Sequence, residues 1–348
     1  MTDVTIKGAG ILGLSIAFRC LRRGAKVRVV DPNGPGAGAS GGIVGALAPH
    51  VPENWNAKKA FQLESLLSAE GFWREVEDVG GGVSGYARTG RLQPIEDEPA
   101  MKLALEREVG ARELWQGRAE WRLKPMEQFD FVLQSPTGFV IHDTLTARLH
   151  PRQACQALAQ AITTMGGSIV TEAPTSGIIV EATGMWGLES LSELIGAPIG
   201  AGVKGQAAVL GYAAQDAPQL FTESLHIIPH ADGTTAIGST SERDYAVPDS
   251  TDHLLDQLIE KARKAVPDLA DAPVLARWAG VRPRARTRAP MLGPCPRRAH
   301  HYIANGGFKI GFGMAPKIAD VMCDLILGGR DTIPADFRVE ASLPAVAR

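Results

Sequence analysis

Three glycines near the start of the chain have the spacing that binds the pyrophosphate of a dinucleotide. Gly8, Gly10 and Gly13 form a G-x-G-x-x-G sequence between a strand predicted at residues 4–7 and a helix predicted from Ile11. The first glycine permits the tight turn, the second admits the pyrophosphate, and the third lets the helix pack against the strand. The N–H groups that begin the helix then face the phosphates.

An acidic residue follows this unit at the position that selects the nucleotide. The strand predicted at residues 26–30 ends in Asp31, 18 residues after Gly13. A carboxylate at that point can accept hydrogen bonds from both hydroxyls of the adenosine ribose, and it would repel the 2′-phosphate of NADP. The pattern therefore fits NAD or FAD.

The segment after Asp31 differs from the crossover helix that continues an NAD-binding Rossmann domain. Residues 32–50, PNGPGAGASGGIVGALAPH, are rich in glycine, which disfavours a helix or a regular strand. Such a backbone suits close contact with an extended ligand, and a flexible surface loop is the alternative. The apolar side chains of Ile43, Val44 and Leu47 weaken that alternative because they favour burial.

Apolar periodicity predicts further elements of the nucleotide-binding part. Helices are expected at residues 56–79 and from Pro151 to a stop at Gly166, and residues 177–184 are expected to form a buried strand. The Ala-Thr-Gly sequence that ends this strand has small side chains, which would let its backbone approach a dinucleotide.

The C-terminal part repeats the glycine-rich pattern of the start. A strand at residues 302–304 leads into a glycine-rich loop at 305–314 and then a helix at 315–327, with Pro316 near its first position. The chain thus has two glycine-rich loops that each lead into a helix N-terminus. FAD is long enough to use both, one for its pyrophosphate and one for its isoalloxazine ring.

Residues 199–279 have a different apolar pattern, with short apolar runs in place of alternating strands and helices. These runs predict an antiparallel sheet that covers a site rather than a second nucleotide fold. The predicted strands are residues 206–211, 225–229 and 234–238, and the one helix is residues 252–266.

Composition limits the class of protein. The chain has 348 residues, 45% hydrophobic and 21% charged, with a formal net charge of −2, which is typical of a soluble globular protein of about two domains. A net charge of −2 gives no bulk attraction to nucleic acid. Cys20, Cys155, Cys295 and Cys323 show no metal-site spacing and are expected to be free thiols. With no signal peptide or membrane-length apolar run recognised, the expected location is the cytoplasm.

The motifs of the whole chain, taken in order, resemble those of one flavoprotein family, the D-amino-acid oxidase superfamily. Within it the chain is most similar to the glycine oxidases of thiamine biosynthesis. The segments that carry the resemblance are GAGILGLS, SGGIVGALAPH, LHPRQACQAL, VEATGMW, VKGQ, HIIPHADGTTAIGST, WAGVRPRARTRAPMLG and NGGFKIGFGMAPKIAD. Two of them, SGGIVGALAPH and GVRPRARTRAPMLG, are also similar to the oxidase domain of the bifunctional enzyme that modifies the tRNA wobble uridine.

The resemblance implies an α/β fold in which a Rossmann-like FAD-binding domain is interrupted by a second, discontinuous α+β substrate domain on an antiparallel sheet. The FAD-binding domain would comprise residues 1–83, 140–198 and 280–348. The substrate domain would comprise residues 84–139 and 199–279.

The resemblance also implies non-covalently bound FAD and no metal. The predicted cofactor-binding residues are Gly8, Gly10, Ile11, Leu12, Gly13, Asp31, Ser40, Gly41, Gly45, Ala182, Thr183, Gly184, Gly307, Lys309, Ile310 and Gly311.

Three residues are predicted to act on the substrate because of where they fall in the family's motifs. Arg282 occupies the position that holds the substrate carboxylate, a task that suits a bidentate guanidinium. Lys309 stands where glycine oxidases have a second arginine. A lysine keeps the positive charge but lacks the bidentate geometry of a guanidinium. His226 stands where they have an active-site tyrosine, and it either donates to the carboxylate or is a strand histidine with a satisfied partner.

The implied reaction is hydride transfer from the Cα of glycine, a D-amino acid or an N-alkyl glycine to flavin N5, with O₂ or another electron acceptor. Two alternatives are oxidation of an N-carboxymethyl group on tRNA and a quinone-linked amino-acid dehydrogenase. Nucleic acid is not favoured as a partner, and a homo-oligomer is compatible with the sequence.

Four arginines alternate along one segment, at positions 282, 284, 286 and 288, and in a strand they would share one face. A solvated basic edge is one interpretation. The other is a larger acidic substrate, such as an N-substituted amino acid with a phosphate or nucleotide attached.

Overall fold

The computed structural model describes residues 2–344, which form two large β-sheets with helices packed against them. The strands described in this range are β1 (Val4–Lys7), β2 (Val27–Val30), β3 (Ala46–Leu47), β4 (Arg91–Pro94), β5 (Trp121–Pro125), β6 (Phe139–Asp143), β7 (Ala147–Arg148), β8 (Ser168–Val170), β9 (Ile178–Glu181), β10 (Gly200–Leu210), β11 (Gln219–Thr222), β12 (Leu225–Pro229), β13 (Thr235–Gly238), β14 (Val274–Ala285), β15 (Met291–Pro294) and β16 (His301–Asn305). The helices are α1 (Ile11–Arg22), α2 (Ala57–Gly80), α3 (Glu98–Leu114), α4 (Pro151–Thr164), α5 (Gly184–Ile195), α6 (His253–Ala265), α7 (Gly311–Gly328) and α8 (Val339–Ser342).

The first sheet has six strands in the order β15-β16-β9-β1-β2-β8, and all its pairings are parallel except that of β15 with β16. In its central strand Val4, Thr5 and Ile6 are all fully buried, which is the pattern of a strand covered on both faces. Helices α1, α4 and α7 contact its strands, and α2 packs on α4 and α7.

The second sheet has eight strands in the order β14-β10-β13-β12-β11-β4-β6-β5. Its pairings are antiparallel except that of β11 with β4. Helix α6 packs on β10, β12 and β13 with Leu255, Ile259 and Ala262 buried, as its 3.6-residue apolar spacing predicts. The two sheets are linked near the end of β14, where Arg284 forms a bridge to Gly307, which follows β16 of the first sheet.

This architecture confirms the predicted fold class, a parallel nucleotide-binding type of sheet joined to an α+β part on an antiparallel sheet. The boundaries predicted at 139/140 and 279/280 fall inside β6 and β14, which belong to the second sheet over their whole length. The division into two discontinuous domains stays a prediction.

The last long helix begins earlier than predicted. It starts at Gly311 rather than 315, because the Met314 N–H donates to the Ile310 carbonyl and closes the first turn. Pro316 therefore lies inside the helix, where it cannot donate to the carbonyl of Phe312. The heavy burial of this helix offsets that lost hydrogen bond.

The alternating arginines are only partly in a strand. β14 ends at Ala285, and a turn in which the Arg288 N–H donates to the Ala285 carbonyl follows. Arg282 is buried, while Arg286 and Arg288 are exposed. The prediction that all four share one strand face is therefore wrong, because the strand is too short to include the last two.

Several elements were not predicted from the sequence, among them α3, α5 and strands β4, β5, β6 and β11. These strands are short and some have little apolar alternation, so their pairing partners define them. Within residues 2–344 no helix is both long and apolar enough to span a membrane.

Candidate active site

A cavity of about 1000 Å³ is lined by residues of both large sheets and of the loops between them. Its size is at the upper end for ligand pockets. The predicted site residues that line it are Gly8, Gly10, Ile11, Leu12, Asp31, Ser40, Gly45, Ala182, Thr183, Gly184, His226, Arg282, Gly307, Lys309, Ile310 and Gly311. The structure thus brings together residues from positions 8 to 311 around one cavity.

Two of the predicted residues, Gly13 and Gly41, do not line this cavity. A Cβ on Gly13 would lie 2.0 Å from the Gly8 carbonyl oxygen, so this glycine serves the close packing of α1 on the turn after β1. The Gly41 carbonyl accepts a hydrogen bond from Arg152 Nε at 2.7 Å. Both residues shape the backbone from behind the cavity wall.

The turn between β1 and α1 packs closely against the backbone that follows β9. Gly8 has φ +100°, and a Cβ there would lie 2.3 Å from the carbonyl oxygen of Ala182, which follows the neighbouring strand β9. No side chain larger than hydrogen fits that place. The first glycine of the motif therefore joins two segments that both line the cavity.

The N-terminus of α1 offers hydrogen-bond donors to this cavity. The Ile11 N–H donates to Ser40 Oγ at 3.0 Å, whereas those of Leu12 and Gly13 have no partner within residues 2–344. The first turn contains no acidic side chain. An uncapped helix start of this kind is suited to an anion such as a pyrophosphate.

Asp31 lies at the end of β2 and lines the same cavity. Its Oδ2 accepts from the Ala9 N–H at 2.8 Å and its Oδ1 from the Asn33 N–H at 2.9 Å. Each carboxylate oxygen keeps a further lone pair for a ligand hydroxyl. The ribose-binding role of Asp31 stays a prediction.

A second uncapped helix start lines the cavity at α7. No side chain caps Ile310, the first turn has no acidic residue, and the N–H groups of Gly311, Phe312 and Gly313 have no partner in the described part of the chain. Because the helix begins at Gly311, these donors belong to its N-terminal turn and carry the positive end of its dipole.

Arg282 on β14 is buried and held in one orientation. Its Nη1 donates to Ser239 Oγ at 2.5 Å, and its Nη2 donates to the carbonyls of Thr240 at 2.7 Å and Lys204 at 3.2 Å. These bonds use three of the five N–H groups of a guanidinium, and a second N–H on Nη1 stays free. Burial lowers the pKa of Arg282 to about 10, so the group is still charged at neutral pH.

Lys309 is open to the cavity and has no hydrogen bond or ion pair within residues 2–344. Its Nζ lies 5.7 Å from the centroid of the Phe308 ring, which Arg282 and Arg284 also approach. Shielding of the ammonium from bulk solvent lowers the pKa of Lys309, and the charge of Arg282 lowers it further. Phe308 itself has φ +44°, a strained conformation often found at functional sites.

His226 on β12 lies against the Phe221 ring, with the ring centroids 4.5 Å apart. Burial lowers its pKa to about 3, and the charges of Arg91 and Lys309 act in the same direction. The imidazole is therefore neutral at physiological pH. Its Nδ1 has no hydrogen-bond partner, so the interpretation as a strand histidine with a satisfied partner does not fit that nitrogen.

Sequence reasoning missed Arg91, which also lines this cavity. Arg91 begins β4, and its Nε donates to Asp143 Oδ2 on β6 at 2.9 Å. The two residues are directly opposed in the antiparallel pairing of β4 with β6. No local motif surrounds Arg91, so only the pairing of these strands could have identified it.

The described lining residues fit a flavin dinucleotide in their donor chemistry. Two uncapped helix starts provide N–H donors for anionic groups, and Asp31 is the single carboxylate among the lining residues that the structure describes. Gly8, Gly10, Ile11 and Leu12 would hold the pyrophosphate, and residues 307–311 would lie at the ring. No cluster of three or more metal-ligating side chains occurs within residues 2–344.

Residues 3–325 match the family described as FAD dependent oxidoreductase. The chain is 28% identical to the bifunctional protein ThiO/ThiG of Trichormus variabilis, over 93% of this chain and 52% of that protein. It is 26% identical to the glycine oxidase of Pseudomonas aeruginosa, over 96% of this chain and 97% of that protein. The first-named relative is thus about twice as long as the segment that the chain matches.

Two further similarities complete the comparison. The tRNA 5-methylaminomethyl-2-thiouridine biosynthesis bifunctional protein MnmC of Maricaulis maris is 26% identical, over 94% of this chain and 52% of that protein. The crystal structure of glycine oxidase from Geobacillus kaustophilus superposes with a TM-score of 0.84 at 20% identity, covering 97% of this chain and 98% of that one. These matches confirm the resemblances found in the sequence and FAD as the cofactor.

Proposed function

We propose that this chain, which belongs to the FAD dependent oxidoreductase family, oxidises the C–N bond of a small amino acid or secondary amine. The substrates would be glycine, D-amino acids or N-alkyl glycines, with O₂ as the expected electron acceptor. The observation that carries the proposal is the buried guanidinium of Arg282, fixed by three hydrogen bonds and adjoining the unpaired Lys309 at the cavity.

Arg282 and Lys309 are suited to bind the substrate carboxylate. The free N–H on Arg282 Nη1 and the ammonium of Lys309 are charged donors, and hydrogen bonds between charged partners are about twice as strong as neutral ones. The three bonds to Ser239, Thr240 and Lys204 fix the guanidinium before substrate arrives. Little conformational entropy is then lost on binding.

The charges around this end of the cavity favour a neutral substrate amine. Arg282 and Lys309 are cationic, and His226 is neutral because of its lowered pKa. No lining carboxylate other than Asp31 is described that could balance an ammonium group. The site therefore binds the deprotonated amine, which is the form that can be oxidised.

FAD, when bound, supplies the acceptor for a hydride from the substrate Cα–H, leaving an imine that water hydrolyses to a carbonyl compound and an amine. The chain positions the reacting carbon by holding the carboxylate through Arg282. The unpaired N–H groups at the start of α7 are available to stabilise negative charge at the same end of the cavity.

The test is the visible spectrum of the purified protein mixed anaerobically with glycine, sarcosine, D-alanine and D-proline, followed by O₂ consumption in air. We expect one or more of these amines to bleach the flavin absorbance, and O₂ to restore it. Failure of all four, and also of iminodiacetate and D-aspartate, to bleach a yellow protein would contradict the proposal.

Two additional assays separate the alternatives. Bleaching by a uridine that carries an N-carboxymethyl group, and by none of the amino acids, would assign the chain to RNA modification. Bleaching by an amino acid with recovery only on addition of a quinone would assign it to the dehydrogenases.

A further inference from the structure

We propose that Arg91 forms a second anion site in the same cavity, and that the substrate is therefore an amine that carries two carboxylates. This inference rests on the proposed function, since it names the substrate class of that site. The class comprises N-substituted glycines whose substituent ends in a carboxylate and amino acids with an acidic side chain. What they share is a second carboxylate beyond the one that Arg282 binds.

The first step concerns how Arg91 is held. Arg91 is 5% exposed, and the only hydrogen bond of its side chain within residues 2–344 is the one from Nε to Asp143 Oδ2 at 2.9 Å. Asp143 is fully buried, and its other oxygen accepts from the Thr146 N–H at 2.8 Å. Asp143 thus fixes the inner edge of the guanidinium and leaves both Nη groups without a protein partner.

A purely structural ion pair would be arranged differently. An arginine that serves only to satisfy a buried carboxylate commonly makes two parallel hydrogen bonds to it, and here one is made. Two unpaired Nη groups on a buried side chain are costly unless a ligand or water satisfies them. Arg91 lines the cavity, so a ligand there can reach these groups.

The second step concerns the place of Arg91 relative to the first anion site. The charges of both Arg91 and Lys309 act on His226, and Arg282 in turn acts on Lys309. Arg91 also stacks over Phe221, at 5.6 Å from the ring centroid, and Phe221 contacts His226. Arg282 and Lys309 lie 5.7 Å from the centroid of the Phe308 ring, and they line the same cavity as Arg91 and His226.

The third step concerns charge. Asp143 balances the charge of Arg91, so this site selects its ligand through a fork of N–H donors more than through net charge. A carboxylate accepts from such a fork with two oxygens, whereas a carboxamide offers one acceptor and two N–H donors that would meet other donors. The site should therefore distinguish an acid from its amide.

The experiment compares each dicarboxylate with its amide isostere on the FAD-loaded protein. The pairs are iminodiacetate with N-(carbamoylmethyl)glycine, and D-aspartate with D-asparagine. We expect kcat/KM for at least one acid to exceed that for its amide by about 10-fold to 100-fold, which is the contribution of one hydrogen bond to a charged group. An acid-to-amide ratio near one for both pairs, with the amides turned over, would overturn the inference and leave the proposed function standing.

The variant Arg91→Lys tests the residue. A lysine can still pair with Asp143 but cannot present a fork, so the acid-to-amide ratio should fall about 10-fold or more. The matched control is Arg122→Lys on β5 of the same sheet, because Arg122 is exposed, pairs with Glu120 and does not line the cavity. An unchanged ratio in a folded Arg91→Lys protein would overturn the assignment.

A binding measurement keeps the inference testable without turnover. Thiodiacetate, a thioether that lacks the reactive amine, and its monoamide are titrated against the yellow protein while flavin absorbance is followed. Tighter binding of thiodiacetate, reduced in Arg91→Lys, supports the second anion site even if no amine is oxidised, in which case the proposed function alone fails. Equal binding of acid and amide would overturn the second site.

Discussion

Basic side chains and a neutral histidine define the chemistry of one end of the cavity. Arg282, Lys309, His226 and Arg91 line it together; the first and second approach the Phe308 ring, and the other two contact the Phe221 ring. Two of the cationic groups, Arg282 and Arg91, are oriented by hydrogen bonds to the protein, and Lys309 is not. At the scale of single residues the proposed anion site therefore has two preorganised parts.

Replacing Arg282 by leucine should separate substrate binding from cofactor binding. The variant should keep its yellow flavin and lose about 3 kcal/mol of binding free energy for an amino acid, because the buried carboxylate would lose its charged partner. Steady-state kinetics and flavin content measure the two effects. Arg277→Leu is the control, since Arg277 lies on the same strand, pairs with Asp256 and does not line the cavity. Kinetics equal to the unsubstituted protein would place the carboxylate site elsewhere.

His226 should make the stability of the protein depend on pH. Its pKa is about 3 in the folded state against an ordinary 6.5, so between these values the unfolded state binds more protons. The free energy of unfolding should therefore be fully retained above pH 6.5 and decrease as the pH falls towards 3. Melting temperatures at pH 7 and pH 5 measure this loss.

The loss should be smaller in His226→Gln, which has no titrating group at that position. Part of the pH dependence should persist, because burial also lowers the pKa of His50, His142, His150 and His230. His253→Gln on the exposed N-terminus of α6 provides the surface control. The same pH dependence in His226→Gln as in the parent would show that His226 is not held neutral by the fold.

At the scale of elements, two helix N-termini are the predicted binding groups for the cofactor. The N-cap residues Gly10 and Ile310 make no side-chain hydrogen bond to α1 and α7, neither first turn is acidic, and both starts line the cavity. In α1 only the Ile11 N–H has a side-chain partner within residues 2–344, Ser40 Oγ, among the first three N–H groups. A helix that leaves its first N–H groups unpaired is stabilised by an anion placed there. The glycine-rich loops before them admit the ligand to these donors.

Gly10→Val tests the first of these helix starts. Gly10 lines the cavity, and a Cβ on it would already lie 3.2 Å from Ser40 Oγ, so the branches of valine would occupy the approach of the pyrophosphate. The purified variant should lack FAD in its visible spectrum. Gly71→Ala in α2 is the control, because a Cβ there meets no atom within 4 Å. A stoichiometrically yellow Gly10→Val protein would contradict this role.

At the scale of the whole molecule, the cavity is the junction of the two sheets. Its lining includes residues after β1 and β9 of the six-stranded sheet and side chains on β4, β12 and β14 of the eight-stranded sheet. A ligand that touches both parts stabilises their association, because it binds the folded state and not the unfolded one.

The melting temperature should accordingly rise with FAD concentration. At a free FAD concentration of 100 times Kd the gain in the free energy of unfolding is about 2.7 kcal/mol. Thermal melts of the FAD-depleted protein over a series of FAD concentrations measure it, and the same series with Gly10→Val should show no rise. A melting temperature that is independent of FAD in the depleted protein would contradict the prediction.

The sequence by itself determined the fold class, the cofactor and the long helices. The dinucleotide-binding unit is local, since strand, glycine turn, helix and terminal acid lie within residues 4–31, and it limited the cofactor to NAD or FAD. The resemblance of the motifs along the chain to a flavoprotein family then implied FAD and the fold class. Arg282, Lys309 and His226 came from motif resemblance, and their roles stay predictions. The start of α7 was misplaced because a proline that usually marks a first turn lies in the interior of this helix.

Only the tertiary structure decided which side chains share the cavity. Arg91 enters it because β4 pairs with β6 and β11, placing Arg91 opposite Asp143, 52 residues away in the chain. It also decided that Gly13 and Gly41 lie behind the wall and that Arg286 and Arg288 lie beyond the end of β14. The reason is physical: local sequence specifies a turn or a helix, whereas strand register over long separations depends on packing of the whole sheet.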